Sequence, residues 1–288
     1  MAGEALSLKG MICLVTGATS GIGEATALEL ARMGAAVAVA GRNPEKCMAT
    51  VGRIRRETGN LDVEYLLADL SSQAETRALA AEFLKRHRRL NVLVNNAGSA
   101  FLRRRSSVDG IEMTLALNHL SYFLLTDLLL DTLKSSAPAR IVNVSSNAHK
   151  GSPVDLDDLQ LEHGYSILKA YNRSKFANVL FTYELARRLD GTGVTANALH
   201  PGLVYTNIAR RNGKLIEWGW KLYARRRGVL TPEQGASSSV YMAASPDLEG
   251  VTGVYFVKTA RAPSDPSTYD EAMARKLWQA SAQLTGVS

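Results

Sequence analysis

The sequence predicts an α/β fold, a single doubly wound parallel sheet with helices on both faces. Short apolar runs of strand length alternate with longer helical patterns along most of the chain. The apolar runs are too uniformly hydrophobic for a sheet with one solvated face, so their strands should be buried on both faces. No linker or repeat interrupts the pattern. Although 288 residues would also permit two smaller domains, we expect one domain over residues 1–288.

The elements follow one another in a regular order. Six short apolar runs predict strands, and these are "MICLVTG" (11–17), "AAVAVAGR" (35–42), "VEYLLADL" (63–70), "LNVLVNNAG" (90–98), "RIVNVSS" (140–146) and "VTANALHPG" (194–202). Longer runs of helical pattern predict helices at "GEATALELARMG" (23–34), "EKCMATVGRIRRET" (45–58), "AETRALAAEFLKRH" (74–87), "EMTLALNHLSYFLLTDLLLDTL" (112–133), "AYNRSKFANVLF" (170–181) and a C-terminal tail at about 268–286. Because a helix separates successive strands, the strands should run parallel.

The composition is that of an ordinary globular protein with a basic excess. Hydrophobic residues make up 46% and charged residues 21%, and the formal net charge is +7. The excess lies in "KRHRR" (85–89), "RRR" (103–105) and "ARRR" (224–227), which are compatible with anionic ligands or with solvated helix faces. Because aromatic residues do not interleave these clusters, we expect no nucleic-acid binding.

The two cysteines and the N-terminal sequence bear on location. Cys13 and Cys47 lie in dissimilar surroundings and predict neither a disulfide framework nor a metal site, which suits a reducing compartment. No signal-like arrangement begins the chain, and no uncharged run is long enough to span a bilayer. These observations predict a cytoplasmic protein without a transmembrane segment.

The stretch "TGATSGIG" (16–23) predicts a phosphate-binding turn. It follows the first predicted strand and opens a helix, the context in which a glycine motif becomes informative. Gly17 allows a tight turn, Gly21 allows close approach of a phosphate, and Gly23 allows close helix packing. The helix N-terminus adds unpaired N–H groups and partial positive charge. A Rossmann-type dinucleotide site is therefore favoured over a merely structural turn.

Arg42 predicts which dinucleotide is preferred. The second predicted strand ends in "VAVAGRN" (37–43), where an NAD-type site would carry a carboxylate for the ribose hydroxyls. Arg42 can instead pair bidentately with a ribose 2′-phosphate, helped by the hydroxyls of Thr19 and Ser20. We therefore expect NADP(H) to be preferred over NAD(H), with a plain surface role for Arg42 as the alternative.

Tyr171 and Lys175 form a second candidate pair. An α-helix has about 3.6 residues per turn, so residues four apart lie on the same face. A tyrosine with an ordinary pKa of about 10 is a poor proton donor or base at neutral pH. We expect the Lys175 ammonium to lower the pKa of the Tyr171 phenol and so to prepare it for proton transfer. A half-buried tyrosine with a satisfied hydroxyl is the alternative.

Four motifs together resemble the short-chain dehydrogenase/reductase family. They are "TGATSGIG" (16–23), "NNAG" (95–98), "NVSS" (143–146) and "YNRSK" (171–175), in this order. The resemblance covers nearly the whole chain. Within the family the chain looks most like the retinol-dehydrogenase-like branch, because of "LNHLSYFLLTDLLL" (117–130), "SKFANVLFTYELARRLDGTGVTANALHPG" (174–202), "ARKLWQASAQLTG" (274–286) and the wide gap between Ser146 and Tyr171. Many vertebrate members carry an N-terminal membrane anchor, and because the N-terminal sequence here has no long apolar segment, we expect a departure from them at this point.

The resemblance implies roles for individual residues. The implied catalytic residues are Asn118, Ser146, Tyr171 and Lys175. Tyr171 would protonate a carbonyl oxygen during hydride transfer, and Ser146 would donate a second hydrogen bond. Lys175 would also hold the nicotinamide ribose, and Asn118 would anchor a water in a proton path. The implied cofactor-binding residues are Gly17, Thr19, Ser20, Gly21, Ile22, Gly23, Arg42, Asp69, Leu70, Asn95, Ala97, Gly98, Tyr171, Lys175, Pro201, Gly202 and Thr206.

The segment "LVYTNIARRNGKLIEWGWKLYARRRG" (203–228) is the expected substrate loop. It combines aromatic and apolar residues with a basic rim. Three explanations stay open: a lid over an apolar carbonyl compound, a peripheral contact with anionic lipids, or packing against the domain. The stretch "SAFLRRRSSVDG" (99–110) should add another wall to the pocket.

The expected function is NADP(H)-dependent interconversion of a lipophilic aldehyde or ketone and its alcohol. One alternative is another reaction on the same fold, such as double-bond reduction or a redox-neutral step. The other is a nucleotide-sensing protein, which the intact catalytic set disfavours.

The histidines have no metal-ligand spacing and no nucleophile partner, so we expect no metal and interpret His119, His149, His163 and His200 as structural or loop residues. Family members commonly dimerise through the helices that carry Asn118 and Tyr171; the tail and the insert before Tyr171 could block this, so monomer and homodimer both stay open.

Overall fold

An eight-stranded sheet organises the part of the chain that the computed structural model describes, residues 7–204 and 229–287. The strand order is β3-β2-β1-β4-β5-β6-β7-β8, and all neighbours are parallel except β7 and β8. The strands are β1 (Ile12–Thr16), β2 (Ala36–Gly41), β3 (Val63–Leu67), β4 (Val92–Asn95), β5 (Ala139–Val144), β6 (Val194–His200), β7 (Tyr255–Val257) and β8 (Ala260–Arg261). The expected α/β fold with a doubly wound sheet is confirmed.

Helices cover both faces of this sheet. They are α1 (Gly21–Arg32), α2 (Pro44–Thr58), α3 (Gln73–Arg86), α4 (Met113–Leu115), α5 (Ser121–Leu128), α6 (Leu130–Ser135), α7 (Ile167–Arg188), α8 (Pro232–Ala244) and α9 (Glu271–Thr285). Side chains cap several N-termini, and the Ser166 hydroxyl at the start of α7 accepts the N–H of Lys169. Three elements that were not expected from the sequence, α8, β7 and β8, lie between residues 229 and 267.

The long helix expected at 112–133 is interrupted. A π-helical turn, Ala116–Leu120, joins α4 to α5. The helix is interrupted a second time at Leu129, between α5 and α6. A π turn inserts one residue into the helical repeat, and such turns are frequent at functional sites. This one carries Asn118.

Two buried layers hold the strands, and β1 shows how its side chains divide between them. Cys13 and Val15 belong to the layer under α1, α2 and α8, whereas Leu14 faces the layer under α3, α5 and α7. All three side chains are 0% exposed. The strands of the sheet centre are therefore buried on both faces, which explains their nearly continuous hydrophobic sequence.

The C-terminal helix α9 packs against α7. Ala274 and Leu277 lie in a buried cluster with residues of α7, and the Trp278 ring is 4.8 Å from the ring of Phe123 on α5. The Arg188 guanidinium lies 4.2 Å from the centre of the same indole. The outer face of α7 is thus covered by the chain's own last helix.

Thr206 and the rest of residues 205–228, which hold nearly all of the expected substrate loop with its lid and lipid-contact alternatives, lie outside the described residues. Over the described ranges, no helix is both long and apolar enough to cross a bilayer.

Candidate active site

The candidate residues gather at the carboxyl ends of the parallel strands. Gly17 follows β1, Arg42 follows β2, Ser146 lies two residues after β5, and Pro201 follows β6. The strand order reverses between β1 and β4, so a crevice opens beside Gly17. In open α/β sheets, ligands bind at such a switch point.

The glycine turn after β1 has the shape that a phosphate requires. Gly17 and Gly21 have φ of +63° and +60°, which side chains rarely adopt. A Cβ on Gly17 would lie 2.8 Å from Ala97 Cα, and one on Gly23 would lie 2.6 Å from the Gly17 carbonyl oxygen. A Cβ on Gly21 would meet nothing within 4 Å. Gly17 and Gly23 therefore permit packing, while Gly21 leaves open space in front of α1.

The N-terminus of α1 fits an anionic ligand. The Ser20 side chain occupies the cap position but makes no capping hydrogen bond. The first N–H groups of α1 have no partners within the helix and carry the positive end of its dipole. These features fit the diphosphate of a dinucleotide.

Thr16 and Asn96 hold the glycine turn, and the sequence analysis overlooked both. The Thr16 hydroxyl accepts the N–H groups of Asn96 and Ala97 at 2.9 and 3.0 Å. The Asn96 side chain donates to the Thr16 carbonyl at 2.8 Å. The second asparagine of "NNAG" was the signal that could have indicated this connection between the loops after β1 and β4.

Asn95 and Gly98, both assigned to the cofactor side, face different surroundings. The Asn95 side chain is 0% exposed and donates to Thr126 Oγ1 and Asn143 Oδ1 at 3.0 and 2.9 Å. Its amide links β4 to β5 and α5 inside the sheet, so this side chain does not point toward the crevice. Gly98 does border the site, because a Cβ on it would lie 3.3 Å from Asn118 Oδ1 and 3.6 Å from Lys175 Nζ.

Arg42 forms an ion pair with Asp69 at the other end of the crevice. Arg42 Nη1 lies 3.2 Å from Asp69 Oδ2, and the side chains are 57% and 33% exposed. Burial acts to raise the pKa of Asp69, but hydrogen bonds from Ser71 and the Arg42 guanidinium together lower it below its ordinary value. Thr19 lies beside them, since a Cβ on Gly41 would come within 2.6 Å of its methyl group. Arg42 and Asp69 are thus in direct contact, and Thr19 lies against Gly41, the residue before Arg42.

The amide of Asn118 joins three segments. This side chain is 0% exposed; its Oδ1 accepts the N–H of Ser99 at 2.8 Å, and its Nδ2 donates to the Ser99 carbonyl at 2.9 Å and to Ser174 Oγ at 3.0 Å. Ser174 Oγ in turn donates to the Tyr171 carbonyl at 2.7 Å. The π turn, the loop after β4 and the start of α7 are therefore fixed relative to one another.

Lys175 is buried between two tyrosines. Its Nζ donates to the Val144 carbonyl at 2.9 Å and lies 5.7 Å from the ring centres of both Tyr122 and Tyr171. Burial lowers the pKa of Lys175 to about 7. A lysine in this range can exchange a proton at neutral pH. Tyr122, which sequence reasoning did not identify, is 1% exposed and forms the floor beneath it.

Tyr171 differs from the sequence-based expectation in one respect. Burial raises the pKa of its phenol above the ordinary value, and the group that acts to lower it is Ser146, through a side-chain hydrogen bond. The expected lowering by the Lys175 ammonium is therefore not the dominant effect. One reason is that burial lowers the pKa of Lys175 to about 7, so its amine is only partly charged at neutral pH.

Ser146 presents its hydroxyl from a short turn after β5. It caps the 3₁₀ turn Asn147–His149, because its Oγ accepts the N–H of Ala148 at 3.1 Å. The hydroxyl proton stays available to another acceptor. Ser145 donates to the Lys175 carbonyl at 2.8 Å and so connects the end of β5 to α7.

The arrangement can transfer a proton to or from an oxygen of a bound molecule. A half-buried phenol, a serine hydroxyl and an amine of lowered pKa meet at the end of a crevice whose other parts fit a dinucleotide. Pro201 and Gly202 follow β6 at the same edge of the sheet, and Gly202 has φ +95°. Among the described residues, no group of three or more His, Cys, Asp or Glu is arranged to hold a metal ion.

Comparisons with known proteins agree with this geometry. The sequence model of the family described as short chain dehydrogenase matches residues 11–215. The chain is 42% identical to mouse (Mus musculus) Retinol dehydrogenase 14, covering 97% of this chain and 87% of that protein. It is 42% identical to human (Homo sapiens) polyprenol dehydrogenase, covering 96% and 85%.

A solved structure gives the same result. The Pseudomonas aeruginosa RhlG/NADP active-site complex has 30% sequence identity and a TM-score of 0.71, covering 88% of this chain and 96% of that one. The chain therefore belongs to the short-chain dehydrogenase/reductase family, in its retinol-dehydrogenase-like branch, and is an oxidoreductase of alcohol and carbonyl groups that uses a nicotinamide dinucleotide.

Proposed function

We propose that this oxidoreductase interconverts a lipophilic aldehyde or ketone and its alcohol, with NADP(H) as the preferred cofactor and Tyr171 as the general acid and base. The observation that carries the proposal is the meeting of Ser146, Tyr171 and Lys175 beside Gly98, at the end of the crevice that begins with the glycine turn. The names of the relatives, which refer to retinol and polyprenol, support a lipophilic substrate.

The proton chemistry follows from the site. When bound, the dinucleotide supplies or accepts the hydride. In the reduction direction, negative charge develops on the carbonyl oxygen, and the Ser146 hydroxyl and Tyr171 phenol donate hydrogen bonds to it. The raised pKa of Tyr171 keeps the phenol protonated at neutral pH, as a proton donor must be.

Lys175 stabilises the charge that forms when the Tyr171 phenol gives up its proton. A phenolate at this buried position would attract a proton to the Lys175 amine, whose pKa of about 7 allows it to become charged. The Asn118 amide holds the π turn and the start of α7 in place around this exchange. The roles of Lys175 and Asn118 are thus to stabilise the phenolate and to fix the geometry.

Arg42 supports the preference for NADP(H). Its partly exposed guanidinium lies at the end of β2, where a 2′-phosphate would be recognised, and it supplies donors in a planar fork. The related Pseudomonas protein was solved with NADP. Asp69 keeps the Arg42 side chain at this edge by a single contact, which a dianionic phosphate can replace.

A cytoplasmic location is also part of the proposal. Cys13 and Cys47 are both buried and free, and burial raises the pKa of both thiols, to about 12 at Cys13. Unpaired thiols suit a reducing compartment. Cell fractionation with an antibody to the chain tests this, and recovery in the membrane fraction at high salt would contradict it.

Turnover with a panel of carbonyl compounds tests the function. Retinal, polyprenal and short aliphatic and aromatic aldehydes are offered with NADPH or NADH, and consumption of the reduced nicotinamide is followed by absorbance. We expect turnover of the long apolar aldehydes.

Tyr171→Phe should retain NADPH binding and lose nearly all turnover, because it removes only the transferable proton. Tyr165→Phe is the matched control, since its hydroxyl bonds the Phe101 carbonyl. Full activity of Tyr171→Phe would contradict the mechanism.

A further inference from the structure

His149 lies directly behind the serine of the site. It ends the 3₁₀ turn after β5 and is 0% exposed. Its Nδ1 lies 2.6 Å from the Ser146 carbonyl oxygen, and its Nε2 lies 3.0 Å from the backbone nitrogen of Asp265. The imidazole therefore connects the serine turn to the segment that follows β8.

These two contacts fix the tautomer of His149. A backbone N–H can only donate, so the Asp265 N–H requires a lone pair on Nε2. The single ring proton of the neutral imidazole must then be on Nδ1, which donates it to the Ser146 carbonyl. Burial lowers the pKa of His149, so the neutral form is favoured, although the Ser146 contact and the Asp265 carboxylate oppose this.

The contacts of Asp265 make the connection stiff. Besides donating its N–H to His149, Asp265 accepts the Gly151 N–H on Oδ2 at 2.6 Å and the Ser267 N–H on Oδ1 at 2.9 Å. Asp265 thus bonds the chain at two points, at His149, which ends the turn, and at Gly151 just after it. The Tyr255 ring packs 4.8 Å from the imidazole and donates its hydroxyl to Asn147 Oδ1 at 3.1 Å.

The orientation of Ser146 depends on this turn. The Ser146 carbonyl is held by His149, and its Oγ accepts the N–H of Ala148. Because the Ser146 carbonyl and the Ser146 Oγ are both held, the hydroxyl proton of Ser146 is left to bond outside the turn. Its partner there is Tyr171. Small displacements of such a donor weaken its contact with a developing oxyanion.

We propose that His149 is a positioning residue that, as its neutral Nδ1–H tautomer, holds the backbone of Ser146 so that the serine hydroxyl faces the Tyr171 phenol and the substrate oxygen. The inference rests on the proposed function for its kinetic part only. His149 would thus affect the reaction through the position of Ser146, without contacting the substrate.

Protonation of His149 should release the turn. A proton on Nε2 would face the Asp265 N–H, and this hydrogen bond would be lost. The groups that face His149 are Lys150 on its own turn, Asp265 after β8, His200 at the end of β6, Tyr255 on β7 and, through Ser146, Tyr171 on α7. The pKa of His149 lies below the ordinary value for histidine. The decrease in kcat that protonation of His149 causes should therefore occur only at pH values below that ordinary value.

The kinetic test compares two variants with a control. His149→Phe keeps a ring but loses both hydrogen bonds, to the Ser146 carbonyl and to the Asp265 N–H. We expect kcat to fall about tenfold because Ser146 is no longer held in place, with the Kd for NADPH unchanged. In His149→Asn the amide can still donate to the Ser146 carbonyl but does not titrate, so kcat should be partly restored and its acid decline reduced. His163→Asn, at an exposed loop histidine, is the control.

Two measurements without turnover keep the test independent of the proposed function. In nitrogen-15 NMR, wild-type His149 should show a protonated Nδ1 and an unprotonated Nε2 at neutral pH. In carbon-13 NMR of labelled tyrosine, His149→Phe should raise the pKa of Tyr171, because the Ser146 contact that lowers it is disturbed. Wild-type failure on the whole carbonyl panel would overturn the proposed function but not these results.

Three results would overturn the positioning role. They are an Nε2–H tautomer in the wild type, an unchanged Tyr171 pKa in His149→Phe, and wild-type kcat with an unchanged acid limb in both variants. Denaturant unfolding of each variant separates loss of fold from loss of positioning. If His149→Phe does not fold, the tautomer and the pH profile of His149→Asn decide the question.

Discussion

Arg42 is the residue whose chemistry most directly separates the two dinucleotides. Arg42→Ala removes the guanidinium near the end of β2 and leaves the Asp69 carboxylate without this partner. We expect NADPH affinity to fall about tenfold to a hundredfold, because a hydrogen bond to a charged group contributes ~1.5–3 kcal/mol. NADH affinity should change little. Quenching of protein fluorescence gives both Kd values, with exposed Arg56→Ala as control. Equal losses for the two dinucleotides would contradict the assignment.

Lys175 gives a pH-dependent prediction for stability. Its pKa is about 7 in the folded chain and 10.5 when unperturbed, so between these values the unfolded state binds more protons. The free energy of unfolding should therefore gain a contribution that rises from about pH 7 to pH 10.5 and is absent below pH 7. Lys175→Met should abolish turnover, remove this contribution and be at least as stable as the wild type at pH 7.

The measurement is denaturant unfolding of the wild type and Lys175→Met across this pH range. The difference between them isolates Lys175 from the tyrosines, which titrate nearby. Lys134→Met, at an exposed lysine at the end of α6, should show no such difference. A parallel pH dependence in the wild type and Lys175→Met would show that burial does not lower the pKa of this lysine.

At the scale of elements, strands were more predictable than the helix that carries Asn118. A buried parallel strand can be recognised in a sequence as a short apolar run. All six strands that were expected from such runs are present in the structure. Nearly all residues of the run 112–133 are buried or half-buried, and polar residues such as Asn118 and His119 lie among them, so its periodicity could not reveal the π turn at 116–120 or the break at Leu129. The short β7 and β8 left too weak a pattern to be recognised.

The candidate site was predictable where a motif fixes the backbone and less so where side chains turn inward. Glycines at Gly17, Gly21 and Gly23 can be interpreted from sequence because space and φ exclude other residues. Asn95 could not be placed, because nothing in "NNAG" states which asparagine faces the sheet. The pKa of Tyr171 depends on burial by distant elements, which no local spacing encodes.

Helix α9 links the end of the chain to the site. His119, one residue after Asn118, contacts Asn178 Oδ1 through Nδ1 at 3.2 Å and Ser281 Oγ through Nε2 at 2.9 Å. Asn178 donates to the Asn118 carbonyl at 2.8 Å. Burial lowers the pKa of His119 to about 4, so the imidazole is neutral at pH 7. The last helix thus supports the π turn as well as covering α7.

For the whole molecule, the position of α9 bears on the oligomeric state that the sequence left open. The resemblance implies a dimer interface formed by the helices that carry Asn118 and Tyr171, here the π turn with α5, and α7. Leu277 and Trp278 of α9 occupy this face, against residues of α7 and against Phe123 of α5. A second copy could not use the face without displacing the helix, and displacement would expose the indole and the buried cluster to water.

We therefore expect a monomer. Sedimentation equilibrium of the full chain should give the mass of one chain over a wide concentration range. Leu277→Asp, which places a charge in the cluster between α9 and α7, should loosen α9 and cause self-association through the exposed apolar face. Gln279→Asp, at an exposed position of the same helix, should stay monomeric. A wild-type dimer that Leu277→Asp dissociates would show instead that α9 is itself part of an interface between copies.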